Sequence, residues 1–309
     1  MHEPVMVREV LDWLRVRPGG VYLDGTFGAG GHARAILERA APNGIVLGLD
    51  RDGEALARAD WVADVGGCAG CRLVLAHGNY ADMARLAREN GIESVDGVLL
   101  DAGVSSDQLD APERGFGFLR DGPLDMRMDR AAGATAADWL NEAPDRELER
   151  VFREYGEERM ARRIARVVVG ERGRRPIRTT GALAELVCRA VGRRTGRIHP
   201  ATRVFQALRI AVNDELIHLE AGLKAGLALL KRGGRMVAIS FHSLEDRLAK
   251  RLFRDHEGRN VSLPAGGSAW EGLEPRVRVL TRKPVVAGAT ERGVNPRSRS
   301  AKLRAVERL

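Results

Sequence analysis

The stretch "VYLDGTFGAGGHARAIL", Val21 to Leu37, decides how the first third of this chain is read. An apolar run of Val21, Tyr22 and Leu23 enters a glycine-rich turn, and a helical pattern leaves it from about His32. That is the strand, loop and helix order of a nucleotide-binding crossover. Gly28, Gly30 and Ala33 satisfy G-x-G-x-x-A, and Asp50 follows near the spacing at which a dinucleotide fingerprint places its ribose-binding carboxylate. A nicotinamide enzyme is therefore one reading of the loop, and the glycines alone leave the ligand open.

Working outward, strand patterns at Val21 to Leu23, Ile45 to Leu49, Arg72 to Ala76 and Val95 to Leu100 alternate with helical patterns at Ala33 to Ala40, Gly53 to Ala63 and Ala81 to Glu89. The alternation predicts an α/β fold with a parallel sheet. Asp24, Asp50 and Asp101 all stand just beyond strand ends, the edge where open α/β sheets bind ligands. After Asp101 the alternation stops. From Ser105 to Arg209 the chain is polar, Arg-rich and helical in pattern, including an amphipathic stretch interrupted at Gly156 and "TTGALAELVCRAV", whose Thr residues suit an N-cap. Strand logic resumes in "GLALLKRGGRMVAISFHSLED": a helix is expected to end at Gly233 and Gly234, and a strand to run from Arg235 to Ser240. "RVRVLTRKPVVA" reads as a later strand and loop, whereas the closing "NPRSRSAKLRAVERL" reads as short, basic and poor in packing residues. The predicted organisation is a discontinuous core of residues 1–104 and 211–309 interrupted by a helical insert at 105–210.

With 309 residues, 44% of them hydrophobic, the chain can bury a sizeable core. It has no apolar run of the roughly eighteen residues that a membrane span needs and no signal pattern at its N-terminus, so a cytoplasmic protein without a membrane partner is expected. Three cysteines make no disulfide framework, and the C-x-x-C of Cys68 and Cys71 lacks a second Cys or His pair at zinc-site spacing; no metal is expected. The net charge of +8 is unevenly spread: Arg146 to Arg209 holds 17 basic against 7 acidic residues, and Arg276 to Leu309 holds 10 against 2. Two basic segments on an acidic remainder point to a polyanion, most readily nucleic acid.

Asp24 stands four residues ahead of Gly28. A pyrophosphate over the loop would be repelled by that carboxylate. Class I methyltransferases that use S-adenosylmethionine carry a similar acidic residue toward the methionine portion of the ligand, whose charged end needs a carboxylate as well as N–H donors. Asp50 can accept ribose hydroxyls in either cofactor class. Tyr80, after Asn79 at the end of the third strand, offers an aromatic face to a base. At the fourth strand Asp101-Ala102-Gly103-Val104 replaces the D/N/S-P-P-aromatic tetrad of many amine methyltransferases, and no cysteine follows a proline as a carbon-5 cytosine enzyme would require. Ser240, His242, Ser243, Glu245 and Asp246 gather beyond the fifth strand without the G-x-S-x-G elbow of a hydrolase; the alternative is a loop capping the next helix through Ser243 and Asp246.

"HEPVMVREVLDWL", "DGTFGAGGHARAIL", "LDRD", "DGVLLDAGVSSDQLDAPERGFGF", "GPLDMRMD", "RVFQALRIAVNDEL", "GGRMVAISFHSLEDR" and "NPRSRSAKLRAVER", in this order from His2 to Arg308, resemble the bacterial small-subunit ribosomal RNA methyltransferase H family, also called MraW. The resemblance implies a class I, Rossmann-like S-adenosylmethionine-dependent methyltransferase with an inserted helical domain that helps select substrate. It also implies methylation of N4 of a cytidine at the decoding centre of 16S ribosomal RNA. The RNA within the 30S subunit is the expected partner, and a monomer or weak homodimer the expected state. Cofactor positions carry over to Gly30, Gly31, His32, Asp50, Tyr80, Asp101 and Gln108, to which the loop itself adds Asp24 and Gly28. Asp101 is the nearest acceptor for the cytosine amine, with Ser105, Ser106 and His242 as other pocket candidates. Phe116, Phe118 and Phe241 are possible platforms for a base turned out of its stack. Two rival readings stay open: a nicotinamide-dependent oxidoreductase, and a non-catalytic ribosome-binding factor on the same fold.

Overall fold

Near-continuous apolar strands such as Ile45 to Leu49 fit a sheet buried on both faces, because alternate side chains then serve opposite cores. The computed structural model, which describes residues 4–59, 68–192, 199–262 and 267–309, has this arrangement. Its strands are β1 (Val21–Asp24), β2 (Ile45–Asp50), β3 (Arg72–His77), β4 (Val95–Asp101), β5 (Leu230–Ser240), β6 (Arg259–Ser262), β7 (Ser268–Glu271), β8 (Val277–Val279) and β9 (Lys302–Arg308). Seven of them form one sheet in the order β3-β2-β1-β4-β5-β9-β8, and β6 with β7 forms a separate hairpin. From β3 to β5 neighbouring strands are parallel; β9 runs antiparallel to both β5 and β8. Leu23, Leu47, Val98, Leu100 and Ala238 pack into one core, and Tyr22, Val46, Leu99, Val237 and Ile239 into the other. The parity rule thus assigns each strand residue its face.

The chain divides into two compact units, Met1–Gly103 with Leu216–Leu309, and Val104–Glu215. The first unit holds the sheet. Chain order runs outward from β1 through β2 to β3 and then returns to β4 on the other side of β1, so β1 and β4 flank the switch point where α/β sheets bind ligands. The second unit is helical: Ser106–Asp110, Ala136–Glu142, Asp145–Glu154, Ala161–Arg172, Thr180–Val191 and Ala201–Val212 enclose their own core around Leu148, Phe152, Ile164, Leu183, Val204 and Leu208. The amphipathic stretch is a helix pair interrupted around Gly156, and the Thr179 side chain caps its helix by accepting from the Ala182 N–H. Buried Asn213 secures the long connection after the first helix, accepting from the Met128 N–H at 2.8 Å and donating to the Met126 carbonyl at 2.7 Å. No helix among the described residues is long and apolar enough to cross a membrane.

Three expectations are corrected. The helix before β5 ends at Leu229, ahead of the glycines, and β5 already begins at Leu230. Gly233, at φ +77°, instead serves an irregularity where five residue steps of β5, Leu230 to Arg235, match two of β4, Val95 to Gly97. The basic C-terminus is no loose tail: β9 lies inside the sheet, with Leu303, Ala305 and Val306 fully buried. Arg304, buried beside them, donates to Asp246 at 2.7 Å, and a charge neutralised this way conceals a core strand from a count of apolar residues. The helix expected over Gly53 to Ala63 covers Gly53–Ala57, and the remainder of that expectation from 60 onward lies outside the described residues, as do His2 and Glu3. Cys68 and Cys71 close a turn through Cys71 N–H to Cys68 carbonyl at 2.9 Å, their free thiols 2.8 Å apart and directed at the Leu37 carbonyl.

Leu303→Ala removes a fully buried side chain from an interior strand and is expected to cost about 2–5 kcal/mol in urea denaturation. A loss below about 0.5 kcal/mol, the size of an ordinary surface change, would contradict the interior placement of β9.

Candidate active site

The loop after β1 is held at both ends by strand termini. The Gly25 N–H donates to the Leu99 carbonyl on β4, and the Phe27 N–H donates to the Leu49 carbonyl on β2, both within 2.9 Å. Gly28 and Gly30 take φ of +54° and +78°, a region in which a Cβ is strained, and Gly30 leads into the helix Gly31–Arg39. Gly31 has no room for a side chain, since a Cβ would come within 2.8 Å of Pro4. Asp50 fastens the loop from the end of β2: its Oδ2 accepts from the Gly28 N–H at 2.6 Å and its Oδ1 from the Asp52 N–H at 2.8 Å. Burial raises the Asp50 pKa while these two N–H donors oppose the rise.

Beneath the loop three titratable side chains meet. Asp24, completely buried at the end of β1, accepts from the Thr26 N–H at 3.1 Å and its hydroxyl at 3.3 Å through Oδ1. Thr26 Oγ1 in turn accepts from the Asp101 N–H at 2.8 Å, so one threonine joins the carboxyl ends of β1 and β4. His32, 5% exposed in the first turn of its helix, lies with Nε2 3.4 Å from Asp101 Oδ2. Asp24 Oδ2, Asp101 Oδ1 and both His32 ring nitrogens are buried without a hydrogen-bond partner among the described residues. Burial pushes the Asp24 carboxyl up to about 6; His32 and the Thr26 N–H pull it down, and the Asp101 and Asp50 charges push it further up. Burial alone would lower the His32 pKa, but the nearby Asp101 carboxylate and the charges of Asp24 and Glu291 raise it overall. Two carboxylates with unpaired oxygens in one buried place attract a cation or a cluster of N–H donors.

The other expected residues occupy different settings. Tyr80 opens a short turn of helix, Tyr80–Asp82, that Asn79 caps, and its half-buried ring lies against Gly222, where a Cβ would be 2.5 Å away. His242 is the N-cap of helix Ser243–Glu257: its Nδ1 accepts from the Glu245 N–H at 3.4 Å, while Glu245 Oε2 accepts from the Phe241 and His242 N–H groups. His242 Nε2 lies 3.0 Å from Glu245 Oε1. The cap is thus His242 with Glu245 rather than Ser243 with Asp246, and with Nδ1 accepting, the neutral ring carries its proton on Nε2. In the second unit, Ser105 and Gln108 form a capping box, Ser105 Oγ accepting from the Gln108 N–H at 3.2 Å and Gln108 Oε1 from the Ser105 N–H at 3.1 Å. Ser106 begins the helix they cap. Phe116 is buried in that unit's core and Phe118 packs on His199 and Phe205, while Phe241 packs half-buried into the first unit's core. Sequence reasoning missed Thr26, whose signal was its place two residues beyond an acidic strand end, the spacing of an Asx-type turn.

A family model described as the MraW methylase family matches residues 1–309. The protein from Syntrophotalea carbinolica named "Ribosomal RNA small subunit methyltransferase H" is 55% identical over 311 residues, covering 100% of this chain and 98% of that protein. One of the same name from Thermomicrobium roseum is 53% identical over 309 residues, covering 100% and 94%. Among solved structures, TrmN from Thermus thermophilus aligns with a TM-score of 0.45 at 13% identity, over 98% of this chain and 48% of that one.

A carboxyl whose folded pKa is raised favours the fold while protonated, so its contribution is present below the unfolded value near 3.8 and is lost as pH rises through about 6. Asp24→Asn, which keeps an acceptor for Thr26, is therefore expected to make the ligand-free protein more stable at pH 7.5, by an amount on the order of 2 kcal/mol. It should also flatten the loss of stability between about pH 4 and 7. Thermal melts across that range check this; a variant less stable than the parent at pH 7.5 would show that Asp24 is not a destabilised carboxylate.

Proposed function

Because the chain belongs to the MraW methylase family, we propose that it transfers a methyl group from S-adenosylmethionine to N4 of a cytidine at the decoding centre of 16S ribosomal RNA. The observation that carries the cofactor assignment is Asp24: a fully buried carboxylate with one oxygen unpaired, directly under the glycine loop. A dinucleotide's pyrophosphate would be repelled there, whereas the ammonium end of a methionine moiety would satisfy Asp24 and Asp101 together. When bound, S-adenosylmethionine supplies a methyl group already activated by its sulfonium centre.

The chain's own residues then align and exclude water. Gly28, Gly30 and Gly31 let the backbone approach the ligand, Asp50 accepts from ribose hydroxyls on lone pairs left beside its two N–H donors, and Tyr80 offers its aromatic face to the base. His32 keeps Asp101 oriented. The cytosine amine is a weak nucleophile because its lone pair is delocalised into the ring, and an acceptor at N4 localises it as the transition state forms. Asp101 is favoured over Ser105, Ser106 and His242 for that role, because it ends a strand at the switch point and keeps Oδ1 unpaired. His242 is held in place by its helix cap through Nδ1.

The helical unit serves as the substrate-recognition insert. In it Arg150 and Arg153 are tied to Glu147, Glu154 and Glu149 on their own helix. Arg162, Arg163 and Arg166 are exposed at helical spacing on helix Ala161–Arg172, with Arg159 exposed in the turn just before it; none has an ion-pair partner among the described residues, and the row is suited to phosphate groups. The enzyme works in the cytoplasm on the RNA within the 30S subunit, as a monomer or weak homodimer.

Tritiated methyl transfer to 30S subunits from a strain lacking the modification is expected to place the label in N4-methylcytidine. Label in another base or in ribose would contradict the N4 assignment, and cofactor or RNA binding without transfer would favour the non-catalytic factor. Asp101→Ala should lower transfer by about 10²-fold or more, whereas Asp24→Ala should weaken S-adenosylmethionine binding by about tenfold or more in calorimetry. An Asp101→Ala enzyme within threefold of the parent would remove Asp101 from the mechanism.

A further inference from the structure

Away from the strand ends, a shallow pocket open to solvent lies in the first unit, where helix Ser243–Glu257 packs on β8 and β9. It is lined by Lys250, Phe253, Arg254, Glu257, Val279, Thr281, Arg282 and Arg304. Four cations and one carboxylate make the wall strongly basic.

The pairing within this wall is uneven. Glu257 is already matched: Arg282 lies 3.4 Å from its Oε2, and its Oε1 accepts from the Val279 N–H at 3.1 Å. Buried Arg304 is matched by Asp246 at 2.7 Å, which also has Lys302 at 3.7 Å. Lys250 and Arg254 are exposed, stand one helical turn apart on the same face, and have no hydrogen-bond or ion-pair partner among the described residues. Thr281, 4% exposed, accepts from the Ala305 N–H through its Oγ1, which leaves its hydroxyl proton to donate. Two uncompensated cations about 6 Å apart along the helix, with a hydroxyl donor and a guanidinium in the same wall, match an anionic oxygen cluster, and neither has an ion-pair partner among the described residues.

We propose that this pocket holds a backbone phosphate of the substrate RNA, a contact on the methyltransferase core additional to the arginine row of the insert. The proposal rests on the ribosomal RNA reading above. The one aromatic in its lining, Phe253, is buried and presents no face for a base to stack on, so the pocket contributes affinity and register rather than sequence choice.

Filter binding of labelled 16S RNA across about 50 to 200 mM salt tests it, comparing the parent with Lys250→Ala/Arg254→Ala and with the equal-charge control Arg85→Ala/Arg88→Ala on helix Met83–Glu89. The first pair is expected to reduce the magnitude of the slope of log K against log salt by about 1 to 2, and to weaken binding about tenfold at the low-salt end. Melting temperature and S-adenosylmethionine affinity should match the parent, and the control should keep the parental slope. A parental slope in Lys250→Ala/Arg254→Ala, or an equal loss in the control, would overturn the pocket. A parent that binds RNA without salt dependence would overturn the RNA reading itself, which separates the two failures.

Discussion

One threonine between the buried Asp24 and the half-buried Asp101 sets the terms for the ligand edge. Thr26 donates to Asp24 at the end of β1 and accepts from the Asp101 N–H at the end of β4, across the point where the sheet changes direction. The link fixes two like charges side by side, and burial leaves one oxygen of each without a partner. Such an arrangement is costly in the empty protein, as the rise of the Asp24 pKa to about 6 expresses. The cost becomes useful when a cationic ligand enters, because the same low-dielectric surroundings that penalise the bare carboxylates strengthen their attraction to it. Site strain of this kind persists only where the surroundings are rigid, and here both neighbouring strands are covered on both faces.

The same reasoning separates the functional charges from the structural ones. Most of the chain's basic residues are arginine, and many of them hold the fold: Arg304 serves Asp246 in the core, Arg235 serves Glu307 across β5 and β9, and Arg209 serves Glu215. What distinguishes the row at Arg159 to Arg166 and the pair Lys250 and Arg254 is the lack of an acidic partner among the described residues. A solvated cation without a partner contributes little to stability. It attracts a polyanion at no cost to an internal ion pair.

The four parallel strands before the insert were legible because a doubly covered sheet writes itself as short apolar runs, and Asp24, Asp50 and Asp101 were legible as the polar residues that end them. Two elements were not. β9 is hidden by Arg304 and Arg308, whose charges read as solvent-exposed until Asp246 is seen beside Arg304. The start of β5 is hidden by Gly233 and Gly234, which signal a helix stop but occupy an irregular strand. At the site, the sequence places His242 beyond a strand, but only the structure reveals that its ring is engaged with Glu245. The spacing of Thr26 from Asp24 signals only a local turn; its link to Asp101 arises from the pairing of β1 with β4, a long-range fact that local spacing does not encode.

The claim that buried Asp24 awaits a cationic ligand is tested most directly by calorimetric titration of S-adenosylmethionine at pH 6 in buffers of different ionisation enthalpy, with the parent protein and Asp24→Asn. Near that pH Asp24 titrates in the empty protein, and a bound cation lowers its pKa. Binding should therefore release protons from the parent, a release that Asp24→Asn reduces. An enthalpy independent of the buffer in the parent, or the same proton release in both proteins, would contradict it.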